Sequence, residues 1–324
     1  MKFLSRSIPF INTTWVVAHH PFASPESGWR INPQQTFKIE NLFEKGVRGF
    51  MIDIHYHQDD VYVCHENNPQ RDLPGNCWYT RWPMFSNPVK LNDLLESVYN
   101  IIIDNPNDII TLFLECYVPM IKVAELFSQN NLTQFLLKIN PNNASLTIGD
   151  IISRNTPLIV FSDYAHGGQR LIEGFFYTKY HKESKYNLAE YQGCEDRNEN
   201  SRLRYAEETF RGIKVNLFLL NHFYEHSMGS SIPGISTYHE INDYYHIKAR
   251  AIRCENEVSL FPNFIAVDYV EQGNWGGVFA FANEQNYKTL CALTRGDCIY
   301  ENNDTNQDIT TSGTVSDGLM NSEL

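Results

Sequence analysis

The chain has 324 residues and a formal charge of −12, which argues against a nucleic-acid binder with its basic face and against simple electrostatic adhesion to anionic membranes. Its 42% hydrophobic content supports a real core, in one large α/β domain or two small ones. No apolar run reaches the roughly 18 residues of a membrane span.

In chain order, short apolar runs alternate with helix-like segments. The strand-like runs are Trp15–Ala18, Gly49–Ile54, Val61–Cys64, Ile109–Leu114, Leu158–Ser162, Leu217–Leu220 and Phe264–Val267. Several are continuously apolar rather than alternating, as in strands of a parallel sheet covered on both faces. Helical spacing marks Gln35–Lys45, stopped by Gly46, and Leu91–Asp104, stopped before Asn105-Pro106. Met120–Ile139 reads as one or two helices and Asn283–Leu293 as another. About eight such units suggest a (β/α) barrel or a doubly wound sheet. The segment 182–211 is rich in charge and Asn and reads as an exposed insertion. The tail 301–324 is polar and reads as loosely draped.

Seven cysteines are present. Cys64 with Cys77, and Cys291 with Cys298, are spaced for small disulfide loops, while Cys194 and Cys254 would meet only through the fold. Cys116 ends an apolar run and reads as a buried thiol. No cleavable signal segment fits at the N-terminus. An exported, oxidised protein is favoured over a cytosolic one.

Five ionisable residues end apolar runs: His19, Asp53, His65, Glu115 and Asp268. In a barrel, strand C-termini converge on one mouth. Two histidines on opposite sides of a phosphodiester can run base–acid chemistry, one taking a proton from an attacking hydroxyl and the other protonating the leaving oxygen. A carboxylate on the base fixes its tautomer. A cation, either a side chain or a metal ion, must offset phosphoryl charge.

The order of motifs resembles a known family. It comprises Ala18-His19-His20, Asn32-Pro33-Gln34-Gln35, the run Gly46–Asp53, Val63-Cys64-His65, Leu112–Glu115, Leu220–Phe223 and Pro262–Tyr269. Together they resemble the phosphatidylinositol-specific phospholipase C X-domain superfamily over about residues 12–285, nearest its bacterial and fungal members. The resemblance implies a distorted TIM-type (β/α)8 barrel in a single domain, residues 1–300. It also implies cleavage of a glycerophosphoinositide to diacylglycerol and a cyclic inositol phosphate. Carried over, His19 is the general base, His65 the general acid, Asp268 the residue orienting His19, and Asp53 completes the catalytic set.

The chain departs from both branches of that family. The calcium-dependent branch has E-x-D in the second strand and Asn after the first His; here stand Met51-Ile52-Asp53 and His20. The metal-free bacterial branch has Arg two residues after the strand-two Asp; here stands His55. A divalent cation, calcium or a transition metal, would be held by His20, Asp53 and Glu115, the imidazole shifting preference toward the latter. His55, Arg48 and Glu115 are the candidates for substrate binding, with Trp275 on a loop that would touch substrate or the lipid interface. The expected partner is a phospholipid or inositol-phosphate substrate, met by a monomer in transient contact with a membrane surface. A metal-dependent glycerophosphodiesterase or sphingomyelinase-D-like enzyme, and a weakly catalytic module binding inositol lipid or glycan, are the other readings.

Overall fold

The computed structural model describes residues 5–29, 33–57, 59–64, 89–162, 173–177, 182–184, 194, 216–224 and 235–294. Among the described residues nine strands form one sheet: β1 (Trp15–His19), β2 (Gly49–His57), β3 (Asp60–Val63), β4 (Ile110–Tyr117), β5 (Leu158–Ser162), β6 (Phe175–Tyr177), β7 (Lys182–Glu183), β8 (Phe218–Asn221) and β9 (Phe264–Val267). Every ladder is parallel except β2–β3. The neighbour order β6-β5-β4-β2-β1-β9-β8-β7 follows the chain around a ring. This is the plan of a (β/α)8 barrel. Among the described residues no ladder joins β6 to β7.

Two cores explain the continuously apolar strands. Val16, Ala18, Phe50, Ile52, Leu112, Leu114, Ile265 and Val267 pack outward into the helical layer. Their neighbours Trp15, Val17, Met51, Phe113, Phe264 and Ala266 fill the barrel interior with Phe161. Side chains alternate across a strand, so a strand buried on both faces is apolar at every position. Gly49 lies opposite Val17, where a Cβ would come within 2.5 Å of a Val17 methyl. The two strands meet at this level because residue 49 has no side chain.

The Leu91–Asp104 helix has its expected bounds and buries Leu91, Leu94, Leu95, Val98, Ile101 and Ile102. At roughly 1.5–3 kcal/mol for each fully buried large side chain, this face anchors the helix to the sheet. The helix expected over Gln35–Lys45 begins only at Ile39. The Met120 helix ends at Gln129, and Asn131 then takes a positive φ of 56° that no α-helix continues through. The last helix is longer than expected, Gly277–Thr294. Helices Ile148–Ser153, Ile235–Ile241 and Tyr244–Val258 form where the sequence pattern marked none.

Two expectations are corrected. The run Val61–Cys64 is not a barrel strand: β3 turns back along β2 in antiparallel register, Ile54 opposite Val63. The segment from residue 182 does not begin as an exposed insertion, because Lys182 and Glu183 pair with Phe218 and Leu219 and Ser184 is buried. Cys194, also within that segment, is disulfide-bonded to Cys254. Cys64 and Cys291 are disulfide-bonded too, to partners outside the described residues, and Cys116 is a buried thiol. The rest of 185–211 and the tail 301–324 lie outside the described residues. Among the described residues no helix is long and apolar enough to cross a membrane.

Candidate active site

Register brings the acidic and basic strand ends to one level of the mouth. His19 pairs with Met51, Ala18 with Val267, and Asp53 with Glu115. Residues two apart share a face, so His19, Asp53, Glu115 and Asp268 all stand on the interior face, above Val17, Met51, Phe113 and Ala266. The alternation that fills the barrel with apolar groups gives way here to ionisable ones; β1 and β9 end at this level, whereas β2 and β4 continue past Asp53 and Glu115 to His57 and Tyr117.

His19 and Asp268 meet. The imidazole Nδ1 is 2.8 Å from Asp268 Oδ1, with both residues buried. The ring stacks flat on Phe223, centroids 3.6 Å apart, and lies 3.7 Å from the His20 ring. Asp268 also accepts a hydrogen bond from the Tyr238 hydroxyl at 3.1 Å. Burial lifts the Asp268 pKa to about 8, against the opposing pull of His20 and of Tyr238. In its ionised form Asp268 accepts the Nδ1–H of His19. That bond puts the basic lone pair of the neutral ring on Nε2.

His20 follows with a left-handed backbone, φ 46°, which swings its ring to the other side of His19. Its Nδ1 is 2.5 Å from Gln34 Oε1 and its Nε2 is 3.2 Å from Asp53 Oδ2. Both ring nitrogens face acceptors, the arrangement of an imidazolium. Burial opposes the charge, but the Asp53 carboxylate and the Gln34 carbonyl outweigh it and the pKa is raised.

The three residues expected to hold a metal do not assemble as a metal site. His20 reaches Asp53, but its two nitrogens are turned to Asp53 and Gln34. Glu115, on the neighbouring strand, accepts the Tyr117 hydroxyl. Among the described residues no three His, Cys, Asp or Glu side chains converge closely enough to ligate an ion.

His55 is buried and stacks on Tyr117 at 4.6 Å, one step further out along β2 and β4. Arg48 does not join the site. It precedes β2 and so sits at the opposite, N-terminal end of the barrel, bonded to Asp108 at 3.0 Å and to the Phe43 and Val47 carbonyls at 2.8 Å. Trp275 lies on the loop after β9, 42% exposed, edge-on to Tyr245. His65 lies outside the described residues. The β2–β3 hairpin carries the chain back to the mouth just before it, where the Cys64 amide donates to the Asp53 carbonyl at 3.2 Å.

Sequence reasoning gave no role to Phe223, Tyr238, Gln34, Gln35 or Asn242, whose Nδ2 donates to the Asp268 carbonyl at 2.7 Å. Phe223 ends the Leu220–Phe223 motif and the two glutamines follow Pro33, so a signal existed for these three. Tyr238 and Asn242 lie around the Ile235–Ile241 helix, which no pattern announced. His222 directly follows β8 but serves the frame: burial and the neighbouring Arg250 guanidinium lower its pKa to about 3, and it bonds the Ile241 carbonyl at 2.9 Å.

Residues 7–283 match the family model described as PI-PLC X 1, the phosphatidylinositol-specific phospholipase C X domain. The chain belongs to this family. A PI-PLC X domain-containing protein of Arabidopsis thaliana is 25% identical over 302 residues, covering 88% of this chain. The match takes in 64% of that plant protein, so the chain spans less than two thirds of its relative. A structure of the S. aureus phosphatidylinositol-specific phospholipase C, from work on its membrane binding, superposes with a TM-score of 0.53 at 13% identity, covering 88% of this chain and 95% of that one. A pentafluoro-Phe form of the same S. aureus protein gives a TM-score of 0.51, 13% identity, and coverage of 88% and 95%. At such identity the likeness is one of fold, and it agrees with the barrel order of the strands. The X-domain membership accounts for the motif series from Ala18 to Tyr269.

Proposed function

We propose that this chain is a phosphodiesterase of the phospholipase C type, cleaving a glycerophosphoinositide to diacylglycerol and a cyclic inositol phosphate. The observation that carries the reading is the buried His19–Asp268 contact at the barrel mouth. In this reading His19 Nε2 takes the proton of the inositol hydroxyl beside the phosphate. The resulting alkoxide attacks phosphorus and closes the cyclic ester, while His65 gives its proton to the departing glycerol oxygen. Asp268 keeps His19 in the productive tautomer and stabilises the imidazolium that forms. Phe223 holds the ring plane.

His20 supplies the charge that the family's two branches draw from a metal or an arginine. An imidazolium pinned between Asp53 and Gln34, 3.7 Å from the base, raises the local potential without a mobile side chain. The donor set argues against the metal-dependent reading, since the expected ligands are turned to protein partners. Glu115, His55 and Tyr117 line the outer mouth, where head-group hydroxyls would bind. Trp275 and Tyr245, 42% and 48% exposed, would rest against the lipid surface, the protein acting as a monomer. The Cys194–Cys254 disulfide fits an exported protein in an oxidising compartment.

Phosphorus NMR of products from mixed phospholipid vesicles, with and without EDTA, tests this. The expected result is a cyclic phosphate signal unchanged by EDTA and lost in His19→Ala. Turnover abolished by EDTA favours the metal-dependent diesterase. Lipid binding with no water-soluble phosphate at high protein concentration favours a binding module.

A further inference from the structure

The β1–β9 ladder stops one residue short of the proposed base and its carboxylate. Its last register pair is Ala18 with Val267. Beyond it the Tyr269 amide, next in phase to continue the ladder onto the His19 carbonyl, donates instead to the Gln34 carbonyl at 2.8 Å. A side chain from the loop before the Ile39 helix fills this gap. The Gln35 Nε2 donates to the His19 carbonyl at 2.8 Å and to the Val267 carbonyl at 2.9 Å. Its Oε1 accepts from the Val270 amide at 3.3 Å. Gln35 is fully buried, and its own amide is tied to the Ala23 carbonyl at 3.1 Å.

We propose that Gln35 is a positioning residue for the base: its carboxamide acts as an extra rung between β1 and β9 and sets the spacing of His19 and Asp268. One carbonyl it holds belongs to His19; the other belongs to the residue before Asp268. A primary amide is the side chain that can do this, because it brings two N–H donors and one acceptor on a single plane. Its two donors answer two carbonyls on different strands, so loss of the amide lets the two strand ends move apart. A one-ångström misplacement of reacting groups lowers rates by about 10²-fold.

The role in turnover rests on the function proposed above, whereas the geometric claim does not. The test compares wild type with Gln35→Met, which keeps length and loses all three bonds, and Gln35→Glu, which keeps the acceptor and loses the donors. Three quantities are read: kcat and KM on phosphatidylinositol vesicles, thermal midpoint, and the low-field proton resonance of His19 Nδ1–H in 15N-labelled protein. The expected result is a fall in kcat of about tenfold or more with KM within about twofold. The His19 resonance should also move in both variants at temperatures where they remain folded. An unmoved resonance in a folded variant overturns the proposal, as does unchanged kcat in an active enzyme. If wild type turns over no phosphatidylinositol, the functional reading fails, yet the resonance still decides the role of Gln35. If neither variant folds, hydrogen exchange in wild type decides: the Gln35 side-chain amide protons should exchange far more slowly than those of exposed glutamines, and fast exchange overturns the rung.

Discussion

His19 and Asp268 are 249 residues apart in the chain and 2.8 Å apart at the barrel mouth. The contact forms because β1 and β9 are hydrogen-bonded neighbours in the sheet. It is completed from outside both strands, by Tyr238 on the carboxylate and Phe223 on the ring.

Asp268→Asn should cost activity about 10³-fold or more, by removing the group that sets the His19 tautomer. Its effect on stability should have the opposite sense. A carboxyl whose pKa rises from 3.8 to about 8 on folding binds more protons in the native state across that interval. Wild-type stability from this group therefore falls as pH rises from about 4 to about 8, each unit being worth about 1.4 kcal/mol at most. The thermal midpoint of Asp268→Asn, measured against wild type from pH 5 to 9, should gain relative to wild type across this window and level off above it. A variant that loses ground as pH rises would contradict the buried-carboxyl account.

Tyr238→Phe removes a hydrogen bond that favours the ionised form of Asp268. Its loss raises the Asp268 pKa further. The acidic limb of the pH–rate profile should move to higher pH by up to about one unit, from a bond worth about 1 kcal/mol. Activity near neutrality should fall several-fold while the alkaline plateau is kept. A limb that stays in place would separate Asp268 from the rate.

His20→Gln tests the fixed cation. Removal of a pre-positioned charge at a phosphoryl site costs about 10²-fold in kcat, and added calcium should not restore it. The stability deficit should depend on pH. The folded pKa of His20 is raised, since the Asp53 and Gln34 bonds overcome the burial that opposes charge. Its contribution is therefore full below the unfolded value near 6.5 and fades as pH climbs through the folded value. Urea midpoints at pH 5.5 and pH 9 should give a larger gap between variant and wild type at the lower pH.

Arg48→Ala should unfold more easily and turn over normally. The guanidinium serves two carbonyls and Asp108 at the end of the barrel remote from the mouth. Its loss should cost about 2 kcal/mol or more, read from denaturant midpoints, with kcat unchanged in the folded protein. A selective loss of kcat would return Arg48 to the substrate.

The short β6 and β7 left no mark in the sequence, but six of the barrel strands were legible because burial on both faces leaves a local one, an unbroken apolar run such as Leu158–Phe161. Their polar ends were legible for a related reason: His19, Asp53, Glu115 and Asp268 interrupt the apolar alternation where the sheet meets solvent. The direction of β3 was not legible, since Val61–Val63 is equally apolar in a parallel or an antiparallel ladder. Arg48 was misjudged because a motif records order along the chain, not which end of the barrel a residue occupies.

The sequence by itself determined β1, β2, β4, β5, β8 and β9, though not β6 or β7, with their two-sided burial and the ionisable residues toward their C-terminal ends, because each follows from periodicity within a few neighbouring positions. Only the tertiary structure decided which ends meet, that His20 is held by Gln34 and Asp53, and that Gln35 bridges β1 and β9. Those contacts join segments far apart in the chain, and their geometry comes from which strands stand side by side in the sheet, to which no local pattern is sensitive.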